Sequence, residues 1–150
     1  MRWPCRHASA EFRAILDDAK EPMRLESDNS ANTAMDAVFQ MLRKRSSPQE
    51  GLDFASILSC VLRTIFVGGW DLSTPPLAVA DRDMMMAEAK RVRANHNLTR
   101  DNAIEATAWA VRRATKARDL DRVLGRLPEG AEDFWHVDAG DPAELQQRVI

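Results

Sequence analysis

A ten-residue stretch decides the fold of this chain, because a similar stretch recurs farther along it. Residues 34–43 read AMDAVFQMLR and residues 103–112 read AIEATAWAVR, an offset of 69 positions. The same offset, without a gap, relates four further pairs of apolar residues: Phe54 and Val123, Leu58 and Leu127, Ile65 and Phe134, and Phe66 and Trp135. A constant register over such a length indicates an internal duplication rather than chance periodicity.

Hydrophobic periodicity predicts three helices in each of the two units. In the first unit, about residues 10–71, the helices cover about 10–20, 31–44 and 48–67. In the second unit, about 81–135, the helices begin near residues 81, 99 and 119. An N-terminal segment (1–9) and a C-terminal tail with a short helix (136–150) flank this duplicated domain. The predicted fold is a single all-α domain, a helical bundle of two similar three-helix units.

The third predicted helix, about Pro48–Val67, is apolar around most of its circumference, and its only polar stripe is Asp53, Ser56, Ser59 and Arg63. A helix of this kind is usually covered by its neighbours on all sides. We therefore expect it to be the central post of the bundle. After it, Gly68 and Gly69 can adopt the left-handed conformation that ends helices, and Trp70 can fold back onto the last turn.

The composition excludes several classes of partner. The 150-residue chain is 45% hydrophobic and 29% charged, contains no Tyr, and has a formal net charge of −2. Phosphate binding needs a concentrated basic face, so we expect no nucleic-acid partner. The longest apolar stretch, residues 57–70, contains Ser59, Arg63 and Thr64. It is too short and too polar to span a bilayer, so we expect no membrane partner.

The two cysteines, Cys5 and Cys60, do not form a disulfide framework of the kind found in small secreted domains. Cys60 lies in an apolar run, which favours a reduced, buried thiol. The basic N-terminus is not followed by an apolar signal-peptide core. These features predict a cytoplasmic protein.

A group of short motifs resembles a known bacterial family. Leu58, Leu62-Arg63, Phe66 and Gly69-Trp70-Asp71, followed by Leu127-Pro128 and Phe134-Trp135, are similar to the family called domain of unknown function 2267. The resemblance covers roughly Ala10 to Trp135 and implies a duplicated all-α domain. Ser59 stands where the family often has a proline after leucine. The family has no agreed catalytic residues, so the resemblance implies no active site.

The residues themselves predict neither a catalytic site nor a metal or cofactor site. The three histidines, His7, His96 and His136, are not accompanied by CxxC or HxxxH spacing, which a zinc site would require. No Ser lies in a nucleophile elbow and no Gly-rich loop follows a strand. We therefore expect a protein without catalytic residues, bound metal or cofactor.

Three residues are candidates for an interface or a groove. Arg63 is the lone charge on the most apolar helix, and it either extends its charged end to solvent, pairs with a carboxylate of another helix, or contacts an anion or ligand in a groove. Trp70 could line such a groove. Trp109 points about 150° from the buried stripe of its helix, and charged residues surround it. A Trp ringed by charge is typical of an interface hot spot, although the chain's own termini or the Pro75-Pro76 connector could also cover it.

These observations favour a non-enzymatic protein-binding or regulatory module. Its expected partner is another protein or a second copy of the chain. The alternative is a small-ligand sensor with an apolar pocket between the two units, near Arg63 and Trp70. An exposed aromatic face would favour the protein partner, whereas a pocket of several hundred Å³ lined by a few polar groups would favour the small ligand.

Overall fold

The computed structural model describes residues 5–92, 100–139 and 141–148, and it confirms an all-α fold. The described elements are α1 (Ala8–Met23), α2 (Asp28–Lys44), α3 (Pro48–Ile57), α4 (Cys60–Val67), α5 (Arg82–Val92), α6 (Ala103–Ala114), α7 (Ala117–Leu124), α8 (Ala131–Phe134) and a terminal 3₁₀ turn (Pro142–Leu145). The predicted helix start near residue 99 lies outside the described residues. The observed α6 begins at Ala103, after Asn102.

The segment about Pro48–Val67, which we expected to form one central helix, is divided into two helices. The chain is extended at Leu58 and Ser59, so α3 ends at Ile57 and α4 begins at Cys60. The expectation was also wrong about burial, because Leu52 is 57% exposed. The break lets α3 pack against α4 and α7, while α4 packs against α1 and α2.

The centre of the bundle is instead formed by α2 and α6, the two helices that carry the repeated stretch. Their small and medium-sized apolar residues, among them Ala34, Val38, Ala103 and Val111, are completely buried. Helix α1 packs against α6, and α5 packs against α2. The first helix of each half therefore lies against the second helix of the other half. Because of this exchange, both halves contribute to one core.

Several contacts recur at the spacing of 69 residues. Arg43 donates a hydrogen bond to the carbonyl oxygen of Phe66 at 3.0 Å, and Arg112 donates one to that of Trp135 at 2.9 Å. Phe66 and Trp135 are both 0% exposed. Helices α3 and α7 begin at Pro48 and Ala117, which are also 69 positions apart. These pairs have the spacing that a duplication predicts. The superposition of the two halves about a two-fold axis stays a prediction.

The structure corrects the expectation of a reduced Cys60. Cys60 is joined to Cys5 by a disulfide, with the two Cα atoms 5.7 Å apart, inside the usual range for this bond. The bond ties the segment before α1 to the first residue of α4. Sequence reasoning missed the pairing because the two residues are 55 positions apart and only the tertiary fold brings them together. Disulfides are typical of oxidising environments, and the cytoplasmic location stays a prediction.

Candidate binding groove at Trp70

An open groove lies between the end of α2, the start of α3 and the connector that follows α4. Its volume is about 590 Å³. Its walls come from Arg43 and Lys44 of α2, Pro48 of α3 and residues 69–77 of the connector. We call this the Trp70 groove. Two of its lining residues, Leu72 and Leu77, are 59% and 50% exposed, so apolar surface faces solvent along the connector.

Trp70 is held in place by two neighbours. Its ring meets the ring of Phe66 edge to face, with the centroids 6.0 Å apart. On another side it lies against the backbone of α3 at Gly51, where a Cβ atom would be only 2.1 Å from the Cη2 atom of the Trp70 ring. The sequence therefore needs glycine at position 51 for this close approach. Trp70 is half-buried and fixed, and one wall of the groove is rigid.

The connector is also tied down at several points. Arg43 donates hydrogen bonds to the carbonyl oxygens of Phe66 and Gly68, at 3.0 and 2.7 Å. Burial of its guanidinium lowers the pKa of Arg43, and the charge of Asp36 opposes this. At the far end of the connector, the Leu77 N–H donates to the Lys44 carbonyl oxygen at 2.8 Å.

In the middle of the connector, Asp71 organises a tight turn. Its carboxylate accepts hydrogen bonds from the backbone N–H and the hydroxyl of Ser73, at 2.9 and 2.6 Å. These bonds lower the pKa of Asp71. Asp and Ser are typical turn residues because their side chains bond to the nearby backbone. The connector side of the groove is thus held in shape by hydrogen bonds within the chain.

Arg63 does not line this groove. It reaches back across the break between α3 and α4 and donates hydrogen bonds to three backbone carbonyl oxygens: Ala55 at 2.9 Å, Leu58 at 3.1 Å and Ser56 at 3.2 Å. None of the ion pairs between described residues includes Arg63. Of the alternatives for Arg63, the ion pair is thus not present there, since Arg63 is an exposed residue and the last carbonyl groups of α3 accept its hydrogen bonds. Helix ends leave such carbonyl groups without partners in the helix, and they attract cations.

Trp109 lies elsewhere, on α6, and is half-buried against the core. The guanidinium carbon of Arg113 is 5.2 Å from the centre of its ring, a cation–π contact. Arg113 is itself held by Asp18 of α1 at 3.3 Å and by the carbonyl oxygen of Glu144. Part of Trp109 is therefore covered by a neighbouring side chain. Its role as an interface residue stays a prediction.

A second cavity lies between the two halves of the chain. It has a volume of about 430 Å³, and its lining includes Ile15, Ile57, Ser59, Arg113 and Arg148. The Ser59 hydroxyl is buried without a hydrogen-bond partner among the described residues. This cavity lies between the two halves, but neither Trp70 nor Arg63 lines it, so an apolar ligand pocket near those two residues stays a prediction.

Beside the second cavity lies Asp18, which is nearly buried and ion-paired with both Arg113 and Arg148. Burial raises the pKa of Asp18, and the two arginines only partly oppose this rise. These two ion pairs therefore connect α1 to α6 and to the C-terminal segment, across the boundary between the halves.

Two further searches cover only the part of the chain that the structure describes. No group of three or more His, Cys, Asp and Glu side chains there is placed to hold a metal ion. His96 lies outside the described residues. Within the same residues, every helix is too short or too polar to cross a membrane.

Sequence reasoning identified Trp70 but missed the rest of the groove. The residues it missed are Gly51, Leu72 and Leu77, whose importance depends on where the connector runs. The one sequence signal was the stiff connector itself, which combines Leu72 and Leu77 with Pro75-Pro76. A connector this rich in apolar residues and proline is unusual for a solvated loop.

Fold and surface together define the class of protein: an all-α domain with an open apolar groove beside the connector between its two halves. The chain belongs to the family described as uncharacterized conserved protein (DUF2267), whose model matches residues 12–134. This match confirms the resemblance seen in the sequence motifs. A comparison with curated proteins gave no match.

Proposed function

We propose that this protein is a non-enzymatic binding module that holds an apolar segment of a protein partner in the Trp70 groove. The observation that carries the proposal is the pair of exposed leucines, Leu72 and Leu77, within a connector that is fixed to α2 and α3. Exposed apolar surface that is concentrated in one place often marks an interaction site.

The open form of the groove favours a protein chain over a small ligand. Small-molecule pockets usually enclose most of the ligand's surface, whereas this groove is open to solvent along the connector, where Leu72 and Leu77 are 59% and 50% exposed. A partner segment could cover both leucines and contact Trp70, which lines the same groove. Trp is the type of residue most often found at the energetic centre of interfaces.

A double variant, Leu72→Asp with Leu77→Asp, tests the proposal. A phage-displayed library of random peptides is selected against the unaltered protein, and the affinities of the selected peptides are measured by fluorescence anisotropy. Both leucines are exposed, so the fold should remain stable. We expect binding to weaken at least about tenfold, because charge replaces the apolar contact.

Met84→Asp is the matched control, because Met84 is 63% exposed on α5 and does not line the groove. It should leave the affinities unchanged. Selected peptides that bind the double variant as tightly as the unaltered protein would contradict the proposal.

A second candidate function is a small-ligand sensor that uses the cavity between the halves. The observation in its favour is the unpartnered Ser59 hydroxyl, in a cavity that combines Arg113 and Arg148 with Ile15 and Ile57. This lining suits a carboxylate with a short apolar tail. Hexanoate is a suitable probe: it should raise the melting temperature of the protein, and Arg148→Gln should remove that effect. No change with hexanoate would count against this alternative.

A further inference from the structure

The Trp70 groove is apolar along the connector and basic at the end of α2. Arg43 and Lys44 line the basic end. Among the described lining residues the only carboxylate belongs to Asp71, and it accepts hydrogen bonds from Ser73 and Thr74 of its own turn. The groove therefore presents two cations to a partner, and its single anion is already engaged within the connector.

One edge of the Arg43 guanidinium is available to a partner. Its Nη1 atom donates to the carbonyl oxygens of Phe66 and Gly68, whereas Nε and Nη2, which form the other edge, have no acceptor among the described residues. In Arg112, by contrast, Nε and Nη2 both donate to the carbonyl oxygen of Trp135. None of the ion pairs between described residues includes Arg43. The connector thus fixes this guanidinium in place without neutralising its charge.

Lys44, the second cation, is only loosely paired. Its ammonium nitrogen lies 3.6 Å from the carboxylate of Glu88, which is closer to the guanidinium of Arg45, at 2.6 Å. The Lys44 side chain is 49% exposed. Exposed ion pairs of this kind contribute little to stability. Lys44 can therefore pair with a second carboxylate at small cost.

We propose that the segment held in the Trp70 groove carries an aspartate or glutamate side chain beside a large apolar residue. The carboxylate accepts hydrogen bonds from Nε and Nη2 of Arg43 and pairs with Lys44, while the apolar neighbour lies against Trp70. A guanidinium edge binds a carboxylate through two parallel hydrogen bonds, and such charge-assisted bonds are stronger than neutral ones. This inference rests on the proposed function, because it names the chemistry of the partner for the same groove.

Peptides selected from the random library test the chemistry of the partner. They are synthesised with acetylated N-termini and amidated C-termini, so that side chains carry their only carboxylates. We expect an acidic residue next to a large apolar one in the peptides that bind the groove. Replacement of that residue by its amide should weaken binding about tenfold, because charge-assisted hydrogen bonds are lost. Rising salt should weaken the acidic form and not the amide form.

Lys44→Glu tests the protein side of the contact and leaves the hydrogen bonds of Arg43 unaltered. It should weaken binding of the acidic peptides at least about tenfold through like-charge repulsion, with little effect on their amide forms. Lys90→Glu is the matched control, because the Lys90 side chain is 44% exposed, is also paired with one carboxylate and does not line the groove. It should leave all affinities unchanged.

NMR of the arginine Nε–H groups tests Arg43 in the unaltered protein. The Arg43 signal, assigned with Arg43→Lys, should shift and saturate with an acidic peptide and should move much less with its amide form. The Arg112 signal should stay in place with both, because its Nε already donates to Trp135. An Arg43 signal that responds equally to the acidic and amide forms, or to neither, would overturn the inference.

The remaining outcomes separate this inference from the proposed function. Peptides that fail to bind the Leu72→Asp, Leu77→Asp variant but tolerate an amide in place of their acidic residue would overturn the inference and leave the proposed function standing. Loss of binding on C-terminal amidation would also overturn it, because the anion would then be a chain terminus. A library that yields no peptide dependent on the two leucines would overturn both.

Discussion

The two halves of this molecule share a core and differ at the surface. Buried positions 69 residues apart, such as Ala34 and Ala103, have nearly the same exposure. In contrast, Arg63 and Trp70 correspond to Glu132 and Ala139, and the buried Gly51 corresponds to the buried Leu120. In the first half, Trp70 is held between Phe66 and Gly51, and Arg63 donates hydrogen bonds to the last carbonyl groups of α3. Neither arrangement occurs among the described residues of the second half. The comparison teaches that both halves keep their central helices buried even where the side chains differ in size, as Phe39 and Ala108 do, while the joints and connectors differ in the contacts that they make.

The largest expected effect comes from the joint between α3 and α4. Leu58→Ala and Leu62→Ala should each reduce the free energy of unfolding by about 2–5 kcal/mol, the usual range for such core truncations. Both side chains are almost completely buried. Leu127→Ala, at the position that corresponds to Leu58, should have a smaller effect because Leu127 is only partly buried. Urea denaturation checks all three variants. An equal effect of Leu58→Ala and Leu127→Ala would show that the two joints are equivalent in packing.

The next largest loss of stability is expected from replacing Arg43 or Arg112, which are 69 positions apart. Arg43→Ala and Arg112→Ala should each destabilise the protein by about 1.5–3 kcal/mol, the range for hydrogen bonds to charged groups. Arg43 donates to two carbonyl oxygens, whereas Arg112 donates twice to the single carbonyl oxygen of Trp135. We therefore expect Arg43→Ala to be the more damaging, because it leaves two carbonyl groups without a donor. Chemical denaturation of both variants in parallel measures the difference, and the reverse order would contradict this reasoning.

A smaller effect is expected at Gly51, which only the first half possesses. Gly51→Ala should displace the Trp70 ring at a cost of about 1–3 kcal/mol for overpacking, partly offset by the higher helix propensity of alanine. The shift should change Trp fluorescence and weaken peptide binding in the Trp70 groove. Gly125→Ala is the control, because the nearest atom to its Cβ would be 3.4 Å away, an ordinary contact. Unchanged fluorescence in Gly51→Ala would show that Trp70 moves freely.

The smallest effects should appear in the pH dependence of stability. Two ion-pair clusters connect the halves: Asp18 with Arg113 and Arg148, and Glu88 of α5 with Lys44 and Arg45 at the end of α2. Burial raises the pKa of Asp18 above its ordinary 3.8, so the folded state holds this proton more tightly and stability falls as pH rises through the range just above 3.8. Burial also acts on Glu88, but its hydrogen bond with Arg45 and the charges of Arg45 and Lys44 outweigh that effect and lower its pKa below 4.5. Its contribution is therefore present above pH 4.5 and is lost as pH falls.

Substitution separates these two contributions. Asp18→Asn should remove the part of stability that declines with rising pH, and Glu88→Gln should remove the part that declines with falling pH. Thermal denaturation between about pH 3 and pH 7 measures both slopes. If the two variants changed the pH dependence in the same direction, the opposite environments of Asp18 and Glu88 would be refuted.

The sequence by itself determined the helical class, the paired core stretches and the place of Trp70 after the glycine stop. Periodicity at 3.6 residues and a constant offset are local properties of the chain, so they can be read without coordinates. The same offset also indicates the break between α3 and α4. It aligns Leu58-Ser59 with Leu127-Pro128, and the proline in the second pair indicates that the helix should break at the first pair as well.

Only the tertiary structure decided which groups meet. The Cys5–Cys60 disulfide, the contact of Trp70 with Gly51 and the bonds from Arg63 to the end of α3 all depend on the path of the chain after the break at Ser59. A sequence pattern gives the face on which a residue lies, but it does not give the neighbour that covers that face.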